Sequence, residues 1–363
     1  MEGVIFMKLF ALDLGNKQTK IMSSAKTRVL PSRFVEASQY GDRNLFGFAK
    51  EKKDVRDFIS SKDEDFTYVW GRELDEDIVS TTVDTIGFGS GRYSRREFKL
   101  LVDFALAELG LDFPEAEEGI LETFVVTGVP SSDYTQEHTM NLFGKAIKGD
   151  HNVTVDGKVL NIRVKKLIVL PQPMGTVISL VTDDEGNLID SPLLGANIGV
   201  VDVGGGTLLI DALRKMNMVT DNRVQLPLGA YNLYNRIEKE LTKEGYEINV
   251  HEIERVVRVG NDKEKYLWSP DNIQTIDITD IVMEQRKIYT LNVANAIETT
   301  YLGFGRMQTI LLTGGAANLL IKDILDEKIG IIHYIENSEL ANVFGFYKYG
   351  LMKMKELEGI ETK

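Results

Sequence analysis

Two stretches of this chain follow one plan. At residues 10–22, FALDLGNKQTKIM runs apolar to Asp13, turns through Gly15 and polar residues, and resumes as a strand-like run. At residues 200–211, VVDVGGGTLLID runs apolar to Asp202, turns through three glycines and becomes apolar again. Short apolar runs separated by such turns predict antiparallel hairpins. A tight glycine-bearing hairpin points successive backbone N–H groups into a concavity that suits phosphate oxygens. Glycine serves there because a Cβ would block close approach and disfavour positive φ. A carboxylate at the strand end is placed to hold water ligands of Mg²⁺. One such loop is a common turn. Two of them, each with an aspartate at the same place and one per half-chain, predict two domains that grip one polyphosphate.

A third segment fits the same ligand. LLTGGAANL (311–319) is a buried strand running into a small-residue turn, which leaves a flat space where a purine could lie against backbone. Its plainer meaning is a strand-to-helix turn with glycine opening the helix.

Length agrees with two domains, since 363 residues exceed the usual single-core size. The chain has no run of eighteen apolar residues, so no membrane span is expected. The opening MEGVIFMKLFAL reaches Asp13 quickly without a basic lead or a cleavage site, and reads as a buried first strand with a short leader. Cysteine is absent, which removes disulfides, thiol catalysis and zinc–cysteine sites and suits a cytoplasmic location. The four histidines have no metal-ligand spacing. A net charge of −13, with both signs interspersed, argues against direct binding to a nucleic-acid backbone. Any role with DNA would run through a partner.

Along the chain, residues 36–93 are polar, irregular and glycine-rich, and read as a small insertion with little core of its own. Ser94 and Glu97 suggest a capping box ahead of an apolar helical stripe that ends at Gly110. A hairpin is expected around Asp156-Gly157, with later helices near 229–243, 249–259 and 280–300. A closing helix capped by Asn337 or Ser338 follows. Each half therefore reads as a hairpin-first sheet followed by helices, a duplication of architecture rather than of sequence.

The segments DLGNKQTK, QPMGT, DVGGGT, TGGAAN and ANVFGFYKYG occur in the order found in the superfamily of actins, sugar kinases and heat-shock-chaperone ATPases. The chain resembles that superfamily over residues 7–350. Within it, VLPSRF, VVTGVPSSD, VLPQPMGT and ANVFGFYKYG resemble the plasmid-segregating bacterial actins of the ParM type. The resemblance implies an α/β actin-like ATPase fold, two RNase H-like domains with a nucleotide cleft between them. Domain I would comprise 7–172 plus 336–358, and domain II 173–335. Asp13 and Asp202 would bind the metal, Mg²⁺, through water. Gly15, Asn16, Lys17 and Lys20 would meet the phosphates of ATP or GTP from one side. Gly204, Gly205, Gly206 and Thr207 would cradle the β- and γ-phosphates from the other, and Gly314, Gly315 and Ala316 would line the adenosine. Glu254 and Arg258, on the charged helix VHEIERVVRVG, are the candidates for ribose and base. Gln172 in the connecting segment would orient the attacking water, which suffices for slow hydrolysis.

The function implied is a filament-forming ATPase that segregates plasmid DNA, with itself and a plasmid-encoded centromere-binding adaptor as partners and no membrane contact. A small-molecule kinase of the same fold would need a carboxylate base and substrate-binding side chains in the cleft, and no such cluster stands out. A chaperone ATPase would need a peptide-binding domain after the closing helix. A cell-shape actin would need an amphipathic anchor, which the N-terminus lacks.

Overall fold

The computed structural model describes residues 7–40, 54–75, 82–260, 265–270, 273–302, 306–357 and 359. The chain forms two compact units, Met1–Ser191 with Leu340–Lys363 and Pro192–Glu339. The first carries a ten-stranded sheet of β1 (Lys8–Leu14), β2 (Gln18–Met22), β3 (Thr27–Pro31), β4 (Arg33–Glu36), β5 (Val55–Ser60), β6 (Tyr68–Gly71), β7 (Val83–Asp84), β8 (Leu121–Val129), β9 (Gly149–Val155) and β10 (Lys158–Pro171). Their order is β3-β2-β1-β8-β10-β9-β5-β6-β4-β7. The second has β11 (Asn197–Val203), β12 (Leu208–Arg214) and β13 (Asn217–Leu226), a separate ladder of β14 (Leu267–Trp268) and β15 (Ile276–Asp277), then β16 (Thr309–Thr313) and β17 (Ile332–Tyr334). Its main sheet runs β13-β12-β11-β16-β17.

One five-strand plan is present in both. An antiparallel meander (β1, β2, β3 or β11, β12, β13) is extended from its first strand by two parallel strands (β8 and β10, or β16 and β17). The expected duplication of architecture is therefore a duplication of strand order. Strands β1, β8, β11 and β16, central in the two sheets, are buried on both faces, as parallel strands covered by helices must be. In the first unit Phe10 and Leu12 face one apolar cluster with helix Arg96–Gly110. Leu9, Ala11, Phe124 and Val126 face another with Phe346 of helix Ala341–Leu357. The Asp156-Gly157 hairpin joins β9 to β10 as expected, with φ of 49° and 85°.

Several expectations need correction. Residues 36–93, expected to be irregular with little core of their own, are more ordered than that. The described parts include β5 and β6, which extend the main sheet, and they bury Phe58, Tyr68 and Trp70 around Phe104. Residues 41–53 and 76–81 lie outside the described part. No capping box forms at Ser94, because the helix starts at Arg96; the Ser94 hydroxyl bonds Gly91 O and Glu97 pairs with Arg95. A capping box does form at Asn249 and Glu252. Ser338 caps no helix; its hydroxyl donates to Gly314 O.

The division between units falls after Ser191 rather than after Gln172. Helix Gln172–Val181 belongs to the first unit because it lies against helix Ala341–Leu357 at backbone distance. A Cβ added to Gly345 would stand 1.7 Å from Gly175 O. Beside that contact Asn342 Oδ1 accepts from the Thr176 amide (3.1 Å) and hydroxyl (2.8 Å). Residues 336–339 stay with the second unit, where Ser338 O accepts from Gly314 N and the Thr313 hydroxyl.

Candidate functional site

In each unit the loop residues singled out from the sequence, with Gln172 in the first, lie at the carboxyl ends of the parallel strands, where ligands bind in open α/β sheets. In the first unit β1 ends at Leu14, β8 at Val129 and β10 at Pro171, so the turn 15–17 and Gln172 lie along one edge. Gln172 opens its helix directly after Pro171. Asp13 is buried, and Lys20, its cross-strand partner on β2, sets its ammonium 3.4 Å from the carboxylate. Lys20 is therefore not a solvated hairpin lysine.

The turn at Gly15 is held by side chains that the sequence did not mark. Arg92 donates from Nη1 to Leu14 O and from Nη2 to Gly15 O (2.8 Å each), and from Nε to Thr85 O (3.0 Å). The Ser32 hydroxyl donates to Gly15 O at 2.7 Å, and Ser32 N to Lys17 O at 2.8 Å. Asn16 turns its side-chain oxygen to Gly87 N at 3.1 Å. Burial pulls the Arg92 guanidinium below its ordinary range, opposed by Tyr93, Asp13 and Asp133. Arginine keeps its proton in proteins all the same. Burial and Asp133 push the neighbouring Tyr93 hydroxyl up, so it remains a donor to Asp133 Oδ2 at 2.7 Å.

In the second unit β11 pairs with β16 so that Asp202 lies opposite Thr313, which brings Asp202, the turn 204–207 and Gly314–Ala316 together. Gly314 has a φ of 96°, and a Cβ there would stand 2.3 Å from Asp202 Oδ1. Only glycine fits at that point. Ala316 N bonds Val203 O at 2.8 Å. The carbonyls of Gly204 and Gly205 accept from Ala230 N (3.0 Å) and Tyr231 N (2.9 Å) at the start of helix Ala230–Lys243. A trans peptide sends its N–H opposite to its C=O. The amides of Gly205 and Gly206 therefore point away from that helix. Gly204 differs: its amide closes the hairpin on Thr207 O at 2.8 Å.

Glu254 and Arg258 lie on helix Val250–Val259 and pair with each other at 2.8 Å, one helical turn apart. Among the described residues no three His, Cys, Asp or Glu side chains converge to hold a metal. No described helix is long and apolar enough to cross a membrane.

The fold and both loops define an actin-like protein. Residues 11–175 match the model of the N-terminal domain of actin-like proteins, and residues 197–337 that of the Alp7A C-terminal domain; the chain belongs to the actin-like proteins. Among solved structures it is similar to the apo pSK41 ParM protein, at 24% identity and a TM-score of 0.74 over 97% of this chain and 99% of that one. It is also similar to the archaeal actin homolog Ta0583 in complex with ADP (18%, TM-score 0.73, 95% and 99%) and to a 15-stranded ParM filament from Clostridium botulinum (21%, TM-score 0.74, 96% and 100%). At these identities the likeness speaks for the fold. No curated protein sequence matches the chain.

Proposed function

We propose that this chain is a slow triphosphatase of ATP or GTP whose hydrolysis is coupled to filament assembly, and that the filaments move plasmid DNA in the cytoplasm. One observation carries this most: the same device occurs in both units. A buried aspartate stands next to last in the first strand, and the following turn has its carbonyls held from behind. A turn of this kind suits the phosphates of a nucleotide. Gly15, Asn16, Lys17 and Lys20 would meet them in the first unit, and Gly205, Gly206 and Thr207 in the second. Mg²⁺ would neutralise phosphate charge, held through water by Asp13 and Asp202. Gly314, Gly315 and Ala316 would lie along the adenosine, with Glu254 and Arg258 toward ribose and base. Gln172 cannot act as a strong base, but its amide can orient the attacking water.

The solved ParM filament and the ADP complex of the archaeal homolog support polymer formation and nucleotide binding. A net charge of −13 favours a DNA-binding adaptor over direct DNA contact. A triphosphate that binds the assembly-competent state better shifts the population toward it, and hydrolysis reverses the shift. The test is light scattering and sedimentation with ATP or GTP and Mg²⁺, against nucleotide-free and chelated controls. Scattering should rise above a critical protein concentration and fall as phosphate is released. A protein that stays monomeric with every nucleotide while phosphorylating a small metabolite would instead be a kinase of this fold.

A further inference from the structure

Arg92 touches no residue that the sequence marks as phosphate-binding except through backbone oxygen, yet it is 6% exposed and spends its donors on three main-chain carbonyls. A buried guanidinium needs a reason, because taking a charge out of water is costly unless it is paired or hydrogen-bonded. Those bonds give one. Leu14 O and Gly15 O belong to the peptides that carry the amides of Gly15 and Asn16, and no peptide among the described residues is cis. A trans peptide directs its N–H opposite to its C=O. With both carbonyls drawn to Arg92, the amides of Gly15 and Asn16 face away from it.

The second unit meets the same requirement differently. There the amides of Ala230 and Tyr231, at the start of a fourteen-residue helix, draw back the carbonyls of Gly204 and Gly205. In the first unit Arg92, from the short helix Gly89–Tyr93, does the work of that helix terminus. A closed circuit holds it in place. Ser32 O accepts from Thr85 N (3.2 Å) and from the Thr85 hydroxyl (2.7 Å), Thr85 O accepts from Arg92, and Arg92 returns to the turn at Gly15. Ser32 closes it again through Lys17 O, and Asn16 through Gly87 N.

We infer that Arg92 is the positioning residue of the first phosphate loop: it sets the direction of the Gly15 and Asn16 amides and so the loop's affinity for a nucleoside polyphosphate. This rests on the nucleotide binding proposed above. Arg92 does not touch the nucleotide; it acts through the two peptides. A lysine at this position keeps the charge but not the fork that reaches two successive carbonyls.

The experiment uses the full chain as wild type, Arg92→Lys, Arg92→Met and Asn16→Ala. Circular dichroism establishes folding and the nucleotide-free Tm. Direct titration with ATP and with GTP, each with Mg²⁺, gives Kd, and the rise in Tm at saturating nucleotide is measured against each variant's own baseline. Arg92→Met should bind about tenfold more weakly or worse, the effect of losing charge-assisted hydrogen bonds. Arg92→Lys should fall between it and wild type, and Asn16→Ala, which keeps its amide but loses the tether to Gly87, should weaken binding less. The nucleotide-induced rise in Tm should shrink in the same order. If Arg92→Met does not fold, Arg92→Lys and Asn16→Ala carry the comparison. Folded variants that lose Tm but keep wild-type Kd and the full nucleotide-induced rise would make Arg92 a core residue only and overturn the inference. Wild-type protein that binds neither nucleotide would overturn the proposed function itself, a result distinct from either.

Discussion

At the scale of single residues, the two aspartates are the sharpest test of the site. Asp202, next to last in β11, has 6% of its surface exposed, in contact range of Gly314 and beside the turn whose amides point outward. Replacing it removes a carboxylate from the loop but no core methyl group, so Asp202→Ala should remain folded. Losing one charge-assisted contact typically costs about 1.5–3 kcal/mol, so nucleotide binding and hydrolysis should both drop well below wild type. Phosphate release at matched protein concentration measures it, and wild-type turnover in the mutant would remove Asp202 from the site. Such residues were legible because hairpin, glycine and carboxylate are adjacent in the chain. Lys20 was legible as a loop residue, though its position against Asp13 needed the cross-strand register. Arg92 and Ser32 were not legible at all. Their partners in the Gly15 turn are backbone oxygens 17 to 78 residues away in sequence, and a side chain bound to a carbonyl leaves no pattern of residue types. Arg92 also sits in the polar run GFGSGRYS, which resembles a plain loop.

At the scale of elements, the sequence showed the long, strongly periodic pieces and missed those held by non-local pairing. Strands β5 and β6 are short, and their side chains are buried only because β9 and β4 accept them into the sheet. What anchors that added sheet to the helix layer is a buried polar knot. Asp103, on helix Arg96–Gly110, takes His151 Nδ1 of β9 at 2.6 Å, Lys62 Nζ at 2.5 Å and the Ser60 hydroxyl of β5 at 2.5 Å. Burial alone pushes the Asp103 carboxyl up, but the His151 hydrogen bond and the Lys62 charge outweigh it and hold it below the usual carboxylate range. A carboxylate depressed in the folded state adds stability above its unfolded value of about 3.9, and that part is lost as pH falls below it toward the folded value. Asp103→Asn should therefore cost about 3–5 kcal/mol, the range for removing one partner of a buried ion pair. The measurement is urea unfolding at neutral pH and again near pH 3. The gap between wild type and mutant should be wide at neutral pH and narrower in acid; a gap that does not change with pH would mean that shape rather than charge holds the knot.

At the scale of the whole molecule, the proposed function gives binding and hydrolysis to different elements, and Gln172 allows them to be separated. It opens helix Gln172–Val181 immediately after β10, and the helix is pinned by the Gly175–Gly345 contact and by the two bonds from Thr176 to Asn342. Truncating Gln172 leaves those anchors and the backbone of both phosphate loops intact. Gln172→Ala should therefore take up nucleotide and assemble like wild type. If its amide orients the attacking water, removing one such contact should slow the chemical step by roughly 10²–10³. Under the proposed function, polymer formed with ATP or GTP would then outlast wild-type polymer by a similar factor, and a segregation role, which needs filaments that also come apart, would fail. Polymer lifetime and phosphate release, followed in one sample, decide it. Long-lived filaments with slow phosphate release would place hydrolysis at Gln172 and make it the timer of assembly. A mutant that hydrolyses and disassembles at the wild-type rate would leave Gln172 as the first residue of a packed helix, with the water held by some other group.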